Sequence, residues 1–129
     1  MRPRLRTSAV LAMTLAVPLL LVSCSSGSKE TGTVATTGPA DAQTVTVDMR
    51  NDLKYYPTTV KARVGTVTFD VSNSETVPHD LAFKDAALGK TGTVDGKSDE
   101  RLKVTFDKAG TFRFTCTFHP GMDGKVVVS

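Results

Sequence analysis

The chain has 129 residues, 40% of them apolar and 22% charged, which is room for one globular domain and not for two. Its formal charge of +3 comes from Arg2, Arg4 and Arg6, while the remaining 13 Lys and Arg balance 13 Asp and Glu. That balance argues against a nucleic-acid binder, which needs a concentrated basic surface, and two histidines with two cysteines exclude a multinuclear metal enzyme.

The three arginines precede Ala9–Val22, an apolar run of 14 residues interrupted by Pro18. A membrane-spanning helix wants about 20 apolar residues, so residues 1–23 have the layout of an export signal. No two arginines are adjacent, which favours the general route over a twin-arginine one. The segment ends in Leu21-Val22-Ser23-Cys24, which resembles the lipobox of bacterial lipoproteins. That resemblance implies cleavage before Cys24 and acylation of its thiol and amino group. The competing reading is ordinary cleavage nearby, leaving a stray thiol, although exported chains seldom keep an unpaired exposed cysteine. Residues 24–42 are rich in Ser, Thr and Gly without hydrophobic period and read as a flexible tether. Such a coil spans on the order of 25 Å root-mean-square.

From residue 43 the pattern has period two. Val45, Val47 and Met49 alternate with Thr44, Thr46 and Asp48; Val60, Ala62 and Val64 alternate with Lys61 and Arg63. Val67, Phe69 and Val71 follow Gly65, then Leu102, Val104 and Phe106, then Phe112 and Phe114 after a turn at Asp107–Gly110, and Val126–Val128 close the chain. One apolar and one polar side per strand marks half-buried antiparallel sheet. Residues 43–129 therefore read as an all-β sandwich of about seven or eight strands, with turn signals such as Asp95-Gly96 between them.

The chemistry lies in two short segments. In Cys116-Thr-Phe-His119-Pro-Gly-Met122, parity sets Cys116 on the inward face of Phe112 and Phe114, and a bend at Pro120-Gly121 brings His119 and Met122 back toward it. In Val77-Pro-His79-Asp-Leu-Ala-Phe83, His79 shares the inward parity of Leu81 and Phe83. Taken singly, a buried cysteine is a small core residue, Met122 a gap filler and each histidine a hydrogen-bonded surface group. Taken together, the domain's one cysteine and both histidines fall at strand ends that can meet, with a methionine at the right spacing. Two imidazoles, a thiolate and a weak thioether make the donor set of a mononuclear electron-transfer copper. Zinc is the nearest rival, but zinc sites use Cys, His and carboxylates rather than Met.

Cys-x2-His-x2-Met followed by Asp-Gly-Lys-Val-Val-Val, with Tyr56-Pro57, the run from Gly65 to Asn73, and Pro78-His79, resembles the cupredoxin family, in the short-loop form of amicyanin. The resemblance covers residues 43–129. It implies a Greek-key β-sandwich holding one type 1 copper, cycling between Cu(I) and Cu(II), with His79, Cys116, His119 and Met122 as ligands. It also implies that His119, flanked by Phe118 and Pro120, is the electron port where extracytoplasmic redox proteins dock. Asp80 departs from the Asn that the family often carries there, at a position whose side chain ties the ligand loops together. Its charge is expected to favour Cu(II) and lower the reduction potential. Glu75 and Asp80 suggest a small acidic rim beside the site.

Two functions compete. The first is a monomeric, membrane-tethered carrier of single electrons, held through Cys24 on the outer face of the cytoplasmic membrane or in the periplasm. The second is an extracytoplasmic copper carrier or sequestering protein that delivers copper to another protein. An enzyme of the nitrite-reductase or multicopper-oxidase type is not expected, because no histidine is left over for further copper centres.

Overall fold

The computed structural model describes residues 32–129. The expected export signal, Cys24 and the first part of the tether lie outside the described residues. The described residues form an all-β sandwich of nine strands and a single 3-10 turn at Ala86–Leu88. One sheet has the order β1-β4-β9-β8-β6, made of β1 (Thr33–Ala35), β4 (Thr59–Ala62), β9 (Asp123–Val128), β8 (Gly110–Thr115) and β6 (Ala82–Phe83). The other has the order β3-β2-β5-β7, made of β3 (Lys54–Tyr56), β2 (Gln43–Arg50), β5 (Gly65–Asn73) and β7 (Asp99–Phe106).

The period-two pattern sets the layers. Val45, Val47 and Met49 from β2, Val67, Phe69 and Val71 from β5, and Val104 and Phe106 from β7 face Val60, Phe114, Val126 and Val128 of the opposite sheet in one core. Phe83 sits edge-on to Phe69, Phe106 and Phe114, with ring centroids 5.7 to 5.9 Å apart, so aromatic packing cements the two layers. β2 and β5 are parallel neighbours, as are β4 and β9; the remaining long pairings are antiparallel.

Three expectations change. The tether does not reach residue 42, because Thr33–Ala35 pairs parallel with Thr59–Lys61 and Thr37 bridges Thr44. These residues supply backbone partners to an otherwise open sheet edge, and they need no inward apolar face to do so. The strand count rises from seven or eight to nine with this edge strand and the two-residue β6. Val64 is exposed, since β4 ends at Ala62 and Gly65 turns the chain with φ +129°.

Candidate metal centre

The loop between β8 and β9 is closed by its own backbone. Antiparallel register pairs Thr115 with Asp123, and beyond that pair Cys116 N–H donates to Met122 O at 3.0 Å while Met122 N–H donates to His119 O at 3.2 Å. The Thr115 hydroxyl adds a bond to the same Met122 carbonyl, 3.1 Å. Gly121 makes the bend with φ +88°, a conformation other residues rarely adopt. Gly124 leaves room for the Phe114 ring, whose atoms lie 2.3 Å from where a Cβ would stand. The seven-residue span from Cys116 to Met122 is thus folded tightly before any metal is considered.

The second loop leaves β5 at Asn73. Asn73 is buried, and its amide donates to Val77 O (2.7 Å) and Val94 O (2.9 Å) while its side-chain oxygen accepts from Glu75 N–H (2.8 Å). His79 and Val94 exchange backbone bonds of 3.1 and 2.8 Å, and Leu81 N–H donates to the Thr91 hydroxyl at 3.0 Å. Tyr55, fully buried on β3, donates its hydroxyl to Asp80 O at 2.6 Å. Burial pushes its phenol far above the ordinary range, with the nearby Cys116, Asp80 and Asp123 adding to the shift.

Asp80 joins the two loops. Its Oδ1 accepts from Thr117 N–H and its Oδ2 from the Thr117 hydroxyl, both at 2.6 Å. Both carboxylate oxygens are therefore used, and Asp80 is buried rather than part of a rim. Glu75 is buried too, beneath His79 and not beside the site at the surface, with Oε2 3.4 Å from His79 Nε2.

These loops bring the predicted donors together. Cys116 Sγ lies 3.7 Å from His79 Nδ1 and 3.6 Å from His119 Nδ1, and the two imidazole rings stand 4.5 Å apart between centroids. One donor atom from each of the three residues lies within 4.8 Å of the others. Met122 is buried at the end of the same loop. His79 is fully buried, whereas His119 is partly open, and Phe118 (45% exposed) and Val77 (40% exposed) stand out on the two loops beside them. Burial raises the Cys116 thiol above its usual value, although backbone N–H groups of the ligand loops oppose the shift. Binding a metal through that sulfur therefore expels a proton.

The donor set fits one copper of the blue, type 1 kind. Thiolate and thioether suit Cu(I), imidazole and thiolate suit Cu(II), and no carboxylate stands in the cluster as a zinc or calcium site would invite. Of the four positions that the sequence pattern singled out, His79, Cys116 and His119 meet here, and Met122 is buried at the end of the same loop. The pattern missed Tyr55, Asn73 and Thr117, and it misplaced Glu75, because these act through loop hydrogen bonds that leave no hydrophobic period.

Comparison with known proteins agrees with this geometry. A family model described as a cupredoxin-like domain matches residues 11–128. Amicyanin of Paracoccus versutus is 37% identical over 93 residues, covering 70% of this chain and 67% of its own. Amicyanin of Paracoccus denitrificans is 38% identical over 79 residues, covering 59% of each, so the match spans less than two thirds of that relative. Among solved structures, the oxidized form of an amicyanin mutant superposes with a TM-score of 0.51 at 31% identity, covering 66% of this chain and 81% of that one. Auracyanin A of Chloroflexus aurantiacus, titled a "blue" copper protein, gives a TM-score of 0.61 over 68% of this chain and 99% of its own, and at 18% identity it speaks to the fold alone.

Proposed function

The chain belongs to the cupredoxin-like domain family, and we propose that it is a mononuclear blue copper protein that carries single electrons between extracytoplasmic redox partners while tethered to a membrane through Cys24. The observation that carries this reading is the meeting of His79, Cys116 and His119 within 4.8 Å, on two loops already braced by Asp80 and Asn73. Bound there, copper supplies a one-electron couple.

The residues do the rest. His79, Cys116 and Met122 are buried, so they exclude water and leave no open position for a substrate, unlike a catalytic metal site. The hydrogen-bonded loops hold the donors in one arrangement, which keeps rearrangement small when the charge of the site changes. His119 reaches partial exposure between Phe118 and Pro120, which gives a partner a short path to the site and an apolar patch for transient docking. A monomer suits such brief encounters.

The edge strand bears on the tether. Thr33 lies opposite Thr59, and Thr59 opposite Lys125, close after Met122 in β9. The chain leading from Cys24 therefore joins the sandwich at its copper end. Nine residues from Cys24 to Gly32 can span at most about 30 Å, which keeps that end near partners on the same membrane.

The test begins with the soluble domain and Cu(II). An intense blue colour that reductant bleaches and oxidant restores, with the metal retained throughout, supports the electron carrier. Release of copper on reduction favours delivery to another protein, and absence of colour overturns the copper site. Membrane partition of the full chain that survives in a Cys24→Ala variant overturns the lipid anchor.

A further inference from the structure

The copper reading uses His79 through Nδ1, which leaves its other ring nitrogen to be accounted for. Nε2 points away from Cys116 into the loop of residues 73–79, is buried, and has no hydrogen-bond partner within bonding geometry. Facing it at 3.4 Å is Oε2 of Glu75, a side chain 4% exposed whose Oε1 also lacks a partner. A neutral imidazole that gives Nδ1 to a metal carries its one proton on Nε2, and a buried N–H must find an acceptor.

We propose that Glu75 is a positioning residue for copper: its carboxylate accepts the Nε2–H of His79 and so holds the ring with Nδ1 turned to the metal. The inference rests on the copper reading and adds to it a residue outside the ligand set. The loop is built to keep the pair in place. Glu75 is fixed at its N–H by Asn73 Oδ1 (2.8 Å) and at its carbonyl by Lys97 N–H (3.1 Å). His79 is fixed by its two backbone bonds to Val94, whose carbonyl also takes the Asn73 amide. Gly96 closes over the segment, with a Cβ site only 2.7 Å from Thr76 O, so nothing larger fits there. One asparagine thus anchors both the acceptor and the ring.

Two consequences follow from the chemistry. A hydrogen bond from the far nitrogen to a carboxylate makes the ligating nitrogen more basic, and such partners are typically worth 10- to 100-fold in metal affinity. A buried negative charge beside the site also favours the more positive copper state. The two effects separate in Glu75→Gln, which keeps an acceptor oxygen without charge, and Glu75→Leu, which has neither.

The measurements are copper affinity by competition with a chelator, reduction potential, and NMR of the His79 ring nitrogens in the metal-free domain. Wild type is expected to show the Nε2–H tautomer alone. Glu75→Leu should mix tautomers and bind Cu(II) roughly 10- to 100-fold more weakly; Glu75→Gln should keep the tautomer and most of the affinity, yet show a higher potential. A purely structural Glu75 would shift the melting temperature without moving tautomer or potential, and that result overturns the proposal. Should the leucine variant fail to fold, an unchanged potential in Glu75→Gln overturns it alone. Wild-type protein that binds no copper sinks the copper reading itself, a distinct outcome.

Discussion

Buried polar side chains at the two poles of the sandwich are treated in opposite ways. Gln43, at the pole away from the metal donors, is fully buried and fully paired. Its Oε1 accepts from the Thr36 hydroxyl and Arg63 N–H, both 2.8 Å, and its Nε2 donates to Arg63 O (2.9 Å) and Ala40 O (3.1 Å). At the copper pole Glu75 and His79 are buried too, yet Glu75 Oε1 has no hydrogen-bond partner and His79 Nε2 has only Glu75 Oε2 facing it at 3.4 Å. A polar group buried without a partner costs stability, typically about 1–3 kcal/mol. The satisfied residue is therefore architecture, stapling the β1 extension to the domain. The Glu75–His79 pair has little but its own 3.4 Å contact, which serves to orient the ring and not to staple elements together.

The largest effect should come from cutting the metal donors while leaving the architecture alone. Cys116→Ser is expected to abolish the blue absorption and the tight copper site, since an alcohol does not ionise to replace a thiolate. The metal-free protein should unfold within about 1 kcal/mol of wild type, as expected of a near-isosteric change that meets no clash. Spectral titration and denaturant melts check the two halves. A blue Cys116→Ser protein would break the assignment outright.

Next comes the contrast itself. Gln43→Leu strips partners from Arg63, Ala40 and Thr36 at once and should destabilise the protein by about 3 kcal/mol, with colour and potential unchanged. Glu75→Leu, measured without metal, should cost less, about 1 kcal/mol, because it leaves a single buried donor, His79 Nε2–H, without its acceptor while removing a buried charge. Equal losses of stability in the two variants would erase the difference between the poles.

Asp80 sharpens the comparison within the copper pole, since it is buried like Glu75 yet has both oxygens paired to Thr117. Asp80→Asn keeps an acceptor for Thr117 N–H, and the hydroxyl can turn to accept from the new amide. The fold should survive, and the reduction potential should rise by some tens of millivolts, about 59 mV corresponding to a tenfold change for one electron. Voltammetry decides; a potential that stays or falls removes the charge argument for this position.

The same comparison shows what the sequence could convey. Val45, Val47, Met49, Val67, Phe69 and Val71 all lie inward as their alternation required, and Cys116 and His119 meet within one short loop that backbone bonds close at Met122. His79 could be placed because Leu81 and Phe83 carry its parity into the core. Thr33–Ala35 could not, since all three residues are exposed and an edge strand made by backbone pairing shows no alternation. Asp48 is likewise buried against its outward parity, its oxygens taken by Arg50, Ser72 and Ser74. Glu75 and Asn73 were illegible for a related reason: irregular loops place side chains by hydrogen bonds to distant backbone, and nothing in local spacing records those partners.

The smallest expected effect tests how the sandwich braces the ligand loop from below. Tyr55 packs edge-on against Phe114 at 4.9 Å and donates its hydroxyl to the Asp80 carbonyl, so Tyr55→Phe keeps the ring contact and removes one bond. The loss should be about 1 kcal/mol at neutral pH, with the blue colour intact. Its pH dependence has a definite sign. Because burial holds the folded phenol far above its ordinary value of 10.0, the unfolded chain releases that proton first as pH rises. Wild type therefore keeps its advantage below about pH 10 and loses it above, by about 1.4 kcal/mol per pH unit, while the phenylalanine variant has no such proton to lose. Denaturant melts of the two metal-free proteins should converge and then cross as pH climbs past that value. A gap that stays constant with pH would mean that the hydroxyl is not sealed beneath Asp80, and that the copper pole is as open from the core side as it is at His119.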